Sequence, residues 1–150
     1  VLITPKSRGR ITLRSADPAD KPRILTNSLA EPEDLAAFVA GVKLGREWAA
    51  TEPLRSTVAR EIHPGPDVDG DAAIEDWVRA NLELLYHPAG TCRMGAAGDG
   101  RAVLDPQLRV RGLEGLRVAD ASVFPVIPGG NTNAPVMMVA ERAADLIRAG

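Results

Sequence analysis

The sequence predicts an α+β protein, and three observations carry that prediction. Short runs such as Arg10–Leu13 and Arg23–Thr26 have the alternation or compactness of strands. Longer runs beginning near Glu31, Ala72 and Asn131 repeat apolar residues at helical spacing. Turn-forming stretches rich in glycine, proline and aspartate separate the two kinds of segment.

Taken in order, Ile11 and Leu13 alternate with Arg10, Thr12 and Arg14, the period of a strand buried on one face. The residues Ser15-Ala16-Asp17-Pro18-Ala19-Asp20-Lys21-Pro22 form a turn, and Arg23–Thr26 makes a second short strand. Glu31-Pro32-Glu33-Asp34 opens a helix, because proline is tolerated in a first turn and acidic groups there suit the helix dipole. Leu35, Phe38, Val39, Val42 and Leu44 to Trp48 are its apolar stripe, and Thr51-Glu52-Pro53 ends it. Val58–Ile62 reads as a strand, followed by a polar loop from Pro64 to Gly70. A second helix over Ala72–Leu82 turns Ile74, Trp77, Val78 and Leu82 inward. Ala96–Gly100 reads as a flexible connection. Short strand or turn pieces follow at Val103–Asp105 and Leu108–Val110, then a compact strand at Leu116–Ala119. The last helix has capping residues at Asn131-Thr132-Asn133, Pro135 in its first turn, and Val136, Val139, Ala140, Ala143 and Ile147 on one stripe.

Composition narrows the function. A length of 150 residues with 45% hydrophobic and 25% charged residues is that of an ordinary globular domain. A net charge of −2 gives no electrostatic case for nucleic acid or an anionic membrane. One cysteine and two histidines exclude an internal disulfide and make a structural zinc site a poor fit. No apolar run approaches the length of a membrane span. The chain opens on Val1-Leu2-Ile3, already strand-like, as if taken from a longer protein; a cytoplasmic location is the default expectation.

The candidate chemistry centres on Tyr86-His87-Pro88-Ala89-Gly90-Thr91-Cys92-Arg93-Met94-Gly95. Pro88 disfavours helical backbone at His87, which places the histidine at a strand end, and Ala89 and Gly90 leave room beside it. An imidazole suits proton transfer near neutral pH. The plainer reading is a partly buried histidine at a loop corner. His63-Pro64-Gly65 repeats the pattern but leads into a polar loop, and reads as a surface histidine.

These residues resemble the C-terminal part of the glucose–methanol–choline oxidoreductases. The likeness runs from Pro5-Lys6-Ser7-Arg8-Gly9-Arg10-Ile11-Thr12-Leu13 and Ser15-Ala16-Asp17-Pro18 through the histidine stretch and Val103-Leu104-Asp105. It closes on Gly115–Ser122 and Gly130-Asn131-Thr132-Asn133-Ala134-Pro135. Many members carry a second histidine where this chain has Asn131, and asparagine there resembles the choline dehydrogenase-like branch. Choline itself does not follow, since a quaternary ammonium calls for an aromatic cage and aromatics are 3% of the chain.

The resemblance implies an FAD-dependent oxidoreductase that oxidises a small alcohol by proton abstraction and hydride transfer to flavin N5. His87 matches the family's base, and Asn131 would donate to the alcohol oxygen as charge develops. Asp120, Ala121, Thr132 and Asn133 would face the cofactor. Residues 1–95 would belong to a substrate domain with an antiparallel sheet and flanking helices. Residues 96–150 would supply a strand and helix to a Rossmann-like FAD domain. The glycine-rich phosphate loop of that domain would come from a missing N-terminal portion, so this chain alone should neither retain FAD nor turn over. A helix face built from Val136, Val139 and Ala143 to meet that absent portion would leave the chain prone to self-association. Two other classes stay open: a non-catalytic interaction or dimerisation module, and a lyase on the same flavin fold.

Overall fold

Two hydrophobic cores, one before and one after residue 83, organise the chain, which a computed structural model describes over residues 1–150. The compact units are Val1–Glu83 and Leu84–Gly150. His87 lies in the second of these units.

In the first unit, strands β1 (Arg10–Thr12) and β2 (Arg23–Leu25) form an antiparallel hairpin in which Ile11 faces Ile24. Both strands fall where the sequence places them. The expected buried face does not form: Ile11 is 50% exposed, Ile24 68% and Leu13 85%, because the two-stranded ribbon has no packed layer above it within its unit. Gly9 fixes how the hairpin closes. A Cβ at Gly9 would sit 2.2 Å from the Leu25 carbonyl oxygen and 2.6 Å from that of Thr26, so only glycine fits there.

Helix α1 (Pro32–Ala49) packs on α2 (Asp71–Asn81) through Leu35, Val39, Ile74 and Val78. The stripe expected on α1 holds through Val42 but stops there, since Leu44 and Trp48 are exposed. Asp34, buried in the first turn of α1, accepts the Lys6 and Ser7 amides at 2.8 Å and the Ser7 hydroxyl. One carboxylate thereby staples residues 6 and 7 to the helix. Burial alone pushes the Asp34 carboxyl up. The Lys6 amide, the Ser7 hydroxyl and amide, and the charge of Arg8 outweigh it and hold the group below the usual range.

Val58–Ile62 is irregular, not a strand. Its neighbourhood is held by a side chain instead. Arg46 donates to the Glu61 carboxylate and to the carbonyls of Gly65 and Val68, which fixes the loop without a ladder.

The second unit has one helix, α3 (Asn133–Arg148), and a short 3₁₀ turn at Ala121–Val123. The pieces read as short strands or turns at 103–105 and 108–110, and the strand expected at 116–119, appear only as isolated bridges: Met94 with Leu104, Leu104 with Val110, and Arg109 with Arg117. Turns cut each run short. Asp105 accepts the amides of Gln107 and Arg109, and Leu108, Gly112 and Gly115 all have positive φ.

Val139 and Ala143 of α3 are buried against Leu104, Leu108, Val123 and Phe124, with Val136 packed beside them. The helix face expected to await another domain is therefore covered by this unit's own loops. Met137, Met138 and Ile147 are the apolar residues α3 leaves outside, at 55%, 62% and 60% exposure.

The glycine-rich segment after Gly95 is not a free connection either. Arg111 donates to the carbonyls of Gly95, Ala96, Ala97 and Leu104, and Arg93 pairs with Asp99 at 2.8 Å. Gly95 is required by closeness, as a Cβ there would lie 2.8 Å from the Ala102 side chain.

Candidate active site

His87 sits in an irregular turn rather than at a strand end, because the chain reverses on both sides of it. Tyr86 has φ 58 and Gly90 has φ 85. A side chain at Gly90 would be strained twice, by that φ and by a Cβ 3.1 Å from the Phe124 carbonyl oxygen. Beyond the turn, the amides of Gly90, Cys92 and Met94 donate to the carbonyls of Ala121, Ser122 and Val123. Ala89, Cys92 and Met94 pack against the core at the same time. The histidine stretch is thus fastened to the segment beginning at Asp120.

Asp120 turns its own carboxylate inward on that segment, where Oδ1 accepts the amide and hydroxyl of Ser122 and caps the 3₁₀ turn. Ala121 supplies a carbonyl to Gly90. From there the chain reaches α3 through Pro128, Gly129 and Gly130.

The helix start gives the central contact. Thr132 is 8% exposed, and its carbonyl accepts the Val136 amide to open α3. Its hydroxyl caps no amide of the helix. It lies 2.9 Å from Nδ1 of His87, across 45 residues of sequence. The ring is partly buried. With the hydroxyl turned to histidine, Thr132 caps no amide of the first turn of α3, and the amides of the exposed residues Asn133 and Ala134 stand at the helix's positive pole.

Of the residues singled out by sequence, the structure joins His87 and Thr132 by a hydrogen bond, while Ala121 is tied to the same stretch through the Gly90 amide. Asn131 and Asn133 flank Thr132 and are exposed, as is His63 in the other unit. The Thr132 hydroxyl, read from sequence as a cap or as facing the cofactor, has a different partner. That pairing was illegible beforehand because nothing local signals a bond over 45 residues. Arg111 and Asp34 were also missed; each looks like one more surface charge until its partners are seen. A concavity of about 410 Å³ is lined by Asp105 and Arg109–Gly115 and includes neither His87 nor any residue from 131 to 133.

A family model described as GMC oxidoreductase matches residues 5–140. An alcohol dehydrogenase [acceptor] of Pseudomonas putida is 49% identical over 97% of this chain and 26% of its own length. An oxygen-dependent choline dehydrogenase of Vibrio vulnificus is 50% identical over 95% of this chain and 26% of its own. Among solved structures, an FAD-dependent oxidoreductase from Chaetomium thermophilum superposes with a TM-score of 0.87 and 29% identity, over 98% of this chain and 25% of that one. The chain thus spans about a quarter of the length of the relatives it matches. FAD, the cofactor expected from the sequence, is named for the solved relative. The match over residues 5–140 places this chain in the GMC oxidoreductase family.

Proposed function

We propose that this chain is the part of an FAD-dependent oxidoreductase that carries the base for oxidation of a primary or secondary alcohol. The observation that carries the reading is the His87 ring, held at Nδ1 and placed next to the uncapped start of α3. A proton acceptor and a positive helix pole in one place suit a reaction that removes a proton from one group while negative charge builds on another.

The residues present fit a flavin. The free amides at the start of α3 suit an electron-rich ring, and Asp120, Ala121, Thr132 and Asn133 would hold the cofactor along that edge. The chemistry FAD supplies when bound is acceptance of a hydride from the carbinol carbon.

His87 takes the hydroxyl proton, because a hydride leaves an alkoxide far more readily than a neutral alcohol. Asn131 donates its side-chain amide to the alcohol oxygen as charge accumulates there. An amide cannot accept the proton in turn, so His87 is the sole base. Both asparagines beside Thr132 are exposed on this chain, which leaves their side chains open to a ligand.

The test is anaerobic bleaching of the flavin in the full-length protein by a panel of small alcohols. Reduction by at least one alcohol, lost in His87→Ala, supports the reading. A flavin that no alcohol bleaches, in a protein that eliminates a group from a hydroxy compound to leave a carbonyl without net redox change, would favour a lyase.

A further inference from the structure

We infer that Thr132 fixes which nitrogen of His87 acts: its hydroxyl occupies Nδ1, so Nε2 is the nitrogen left to take the alcohol proton, and the ring that acts as base carries its own proton on Nδ1. The inference deepens the reading of His87 as the base and rests on it.

A neutral imidazole carries its proton on one nitrogen only, and the partner of one nitrogen decides the state of the other. Here Nδ1 has a partner, the Thr132 hydroxyl at 2.9 Å. A base must offer a lone pair to the alcohol. With Nδ1 engaged by threonine, that lone pair belongs to Nε2. In the ring that acts as base, Nδ1–H therefore donates to the hydroxyl oxygen.

Three features make this contact more than an accident of packing. A threonine at this position of a helix ordinarily uses its oxygen to cap an amide two or three residues on, and α3 forgoes that bond. Thr132 is also 8% exposed, so water competes poorly for the hydroxyl. Finally, both partners are anchored. Thr132 is tied to α3 by the Val136 amide at 2.9 Å, and the helix to the core by Val139 and Ala143. His87 is tied by the bonds from Gly90, Cys92 and Met94. Threonine, branched at Cβ, has few rotamers, which fixes the oxygen more firmly than serine would. The Thr132 hydroxyl acts here through the His87 ring, which makes it a positioning residue for the proton transfer.

The experiment uses the full-length, FAD-loaded protein with ¹⁵N-labelled histidine. His87 resonances are assigned by their disappearance in His87→Gln. In the wild type, Nδ1 should appear protonated and Nε2 unprotonated. Thr132→Val should shift the ring toward the Nε2-protonated form, and Thr132→Ser should keep the wild-type pattern. In kinetics, Thr132→Val should lower the flavin reduction rate about tenfold, the scale of one lost hydrogen bond, with substrate affinity little changed. Thr132→Ser should recover most of that loss.

A wild-type ring protonated at Nε2 overturns the proposal, as does a Thr132→Val protein with unchanged tautomer and rate. Should Thr132→Val lose its flavin, Thr132→Ala carries the same comparison. If instead His87→Gln reduces flavin at the wild-type rate, the base assignment falls. The spectra then still judge the tautomer by themselves.

Discussion

Thr132 and His87 are joined side chain to side chain, Oγ1 to Nδ1 at 2.9 Å, although they stand 45 positions apart in sequence. The contact joins the first turn of the last helix to the turn that carries the histidine. Around it, the two segments are held by separate means: backbone bonds from residues 90–94 to 121–123 on one side, helix packing on the other. The His87 ring is thus held between the start of a helix and a turn that backbone bonds fasten in place.

His87→Ala should slow flavin reduction in the full-length enzyme by about 10²–10⁴, the usual worth of a general base. Alkaline pH should restore part of the rate by supplying alkoxide. Asn131→Ala should cost about 10²–10³, as for a lost oxyanion donor, with little recovery at high pH. Stopped-flow absorbance of the flavin reads all three. If His63→Ala has the larger effect, the base has been assigned to the wrong histidine.

Gly9→Ala should destabilise the first unit by about 1–3 kcal/mol, the range for forcing extra volume into a packed site. The added Cβ would stand 2.2 Å from the Leu25 carbonyl oxygen, and backbone cannot swing aside as a side-chain tip can. Denaturant unfolding of the variant against wild type measures the loss. Gly98→Ala, where nothing lies within 4 Å, is the control expected to cost little.

Arg111→Met should release the segment from Gly95 to Ala97, whose carbonyls the guanidinium now gathers. Methionine keeps much of the apolar stem and removes the donors. The loss should be about 1.5–3 kcal/mol, the scale of hydrogen bonds to a charged group. Amide hydrogen exchange in residues 95–102 should rise, while exchange in α3 stays slow. Equal protection in both proteins would show that the loop is held by something else.

Acid should loosen the attachment of residues 6 and 7 to α1. The Asp34 carboxyl titrates below its ordinary value of 3.8, so its contribution to stability is complete above that pH. The contribution falls away as the pH drops through the lower, folded-state value. Asp99, held down chiefly by the Arg101 amide, and Asp105, held down despite burial by the Arg109 amide and side chain, act in the same direction. Asp34→Asn should flatten the pH dependence of unfolding over the acid range. An unchanged profile would remove Asp34 from the account.

The sequence by itself determined the three helices, the hairpin, the family and the histidine to examine. Helices are legible because their hydrogen bonds join residues four apart and their apolar faces repeat within a single turn or two. Ile74 and Val78, or Val139 and Ala143, declare the buried side without knowledge of what covers it. The tertiary structure decided the rest. It chose isolated bridges over strands between 103 and 119, since turns with positive φ interrupt each run before a ladder can extend. It covered the Val139 face of α3 with loops from residues 104–124. It gave Asp34, Arg111 and Thr132 partners 28, 16 and 45 residues away. Contacts of that reach depend on where whole segments come to rest, and a hydroxyl or guanidinium carries no periodicity by which its partner could be read.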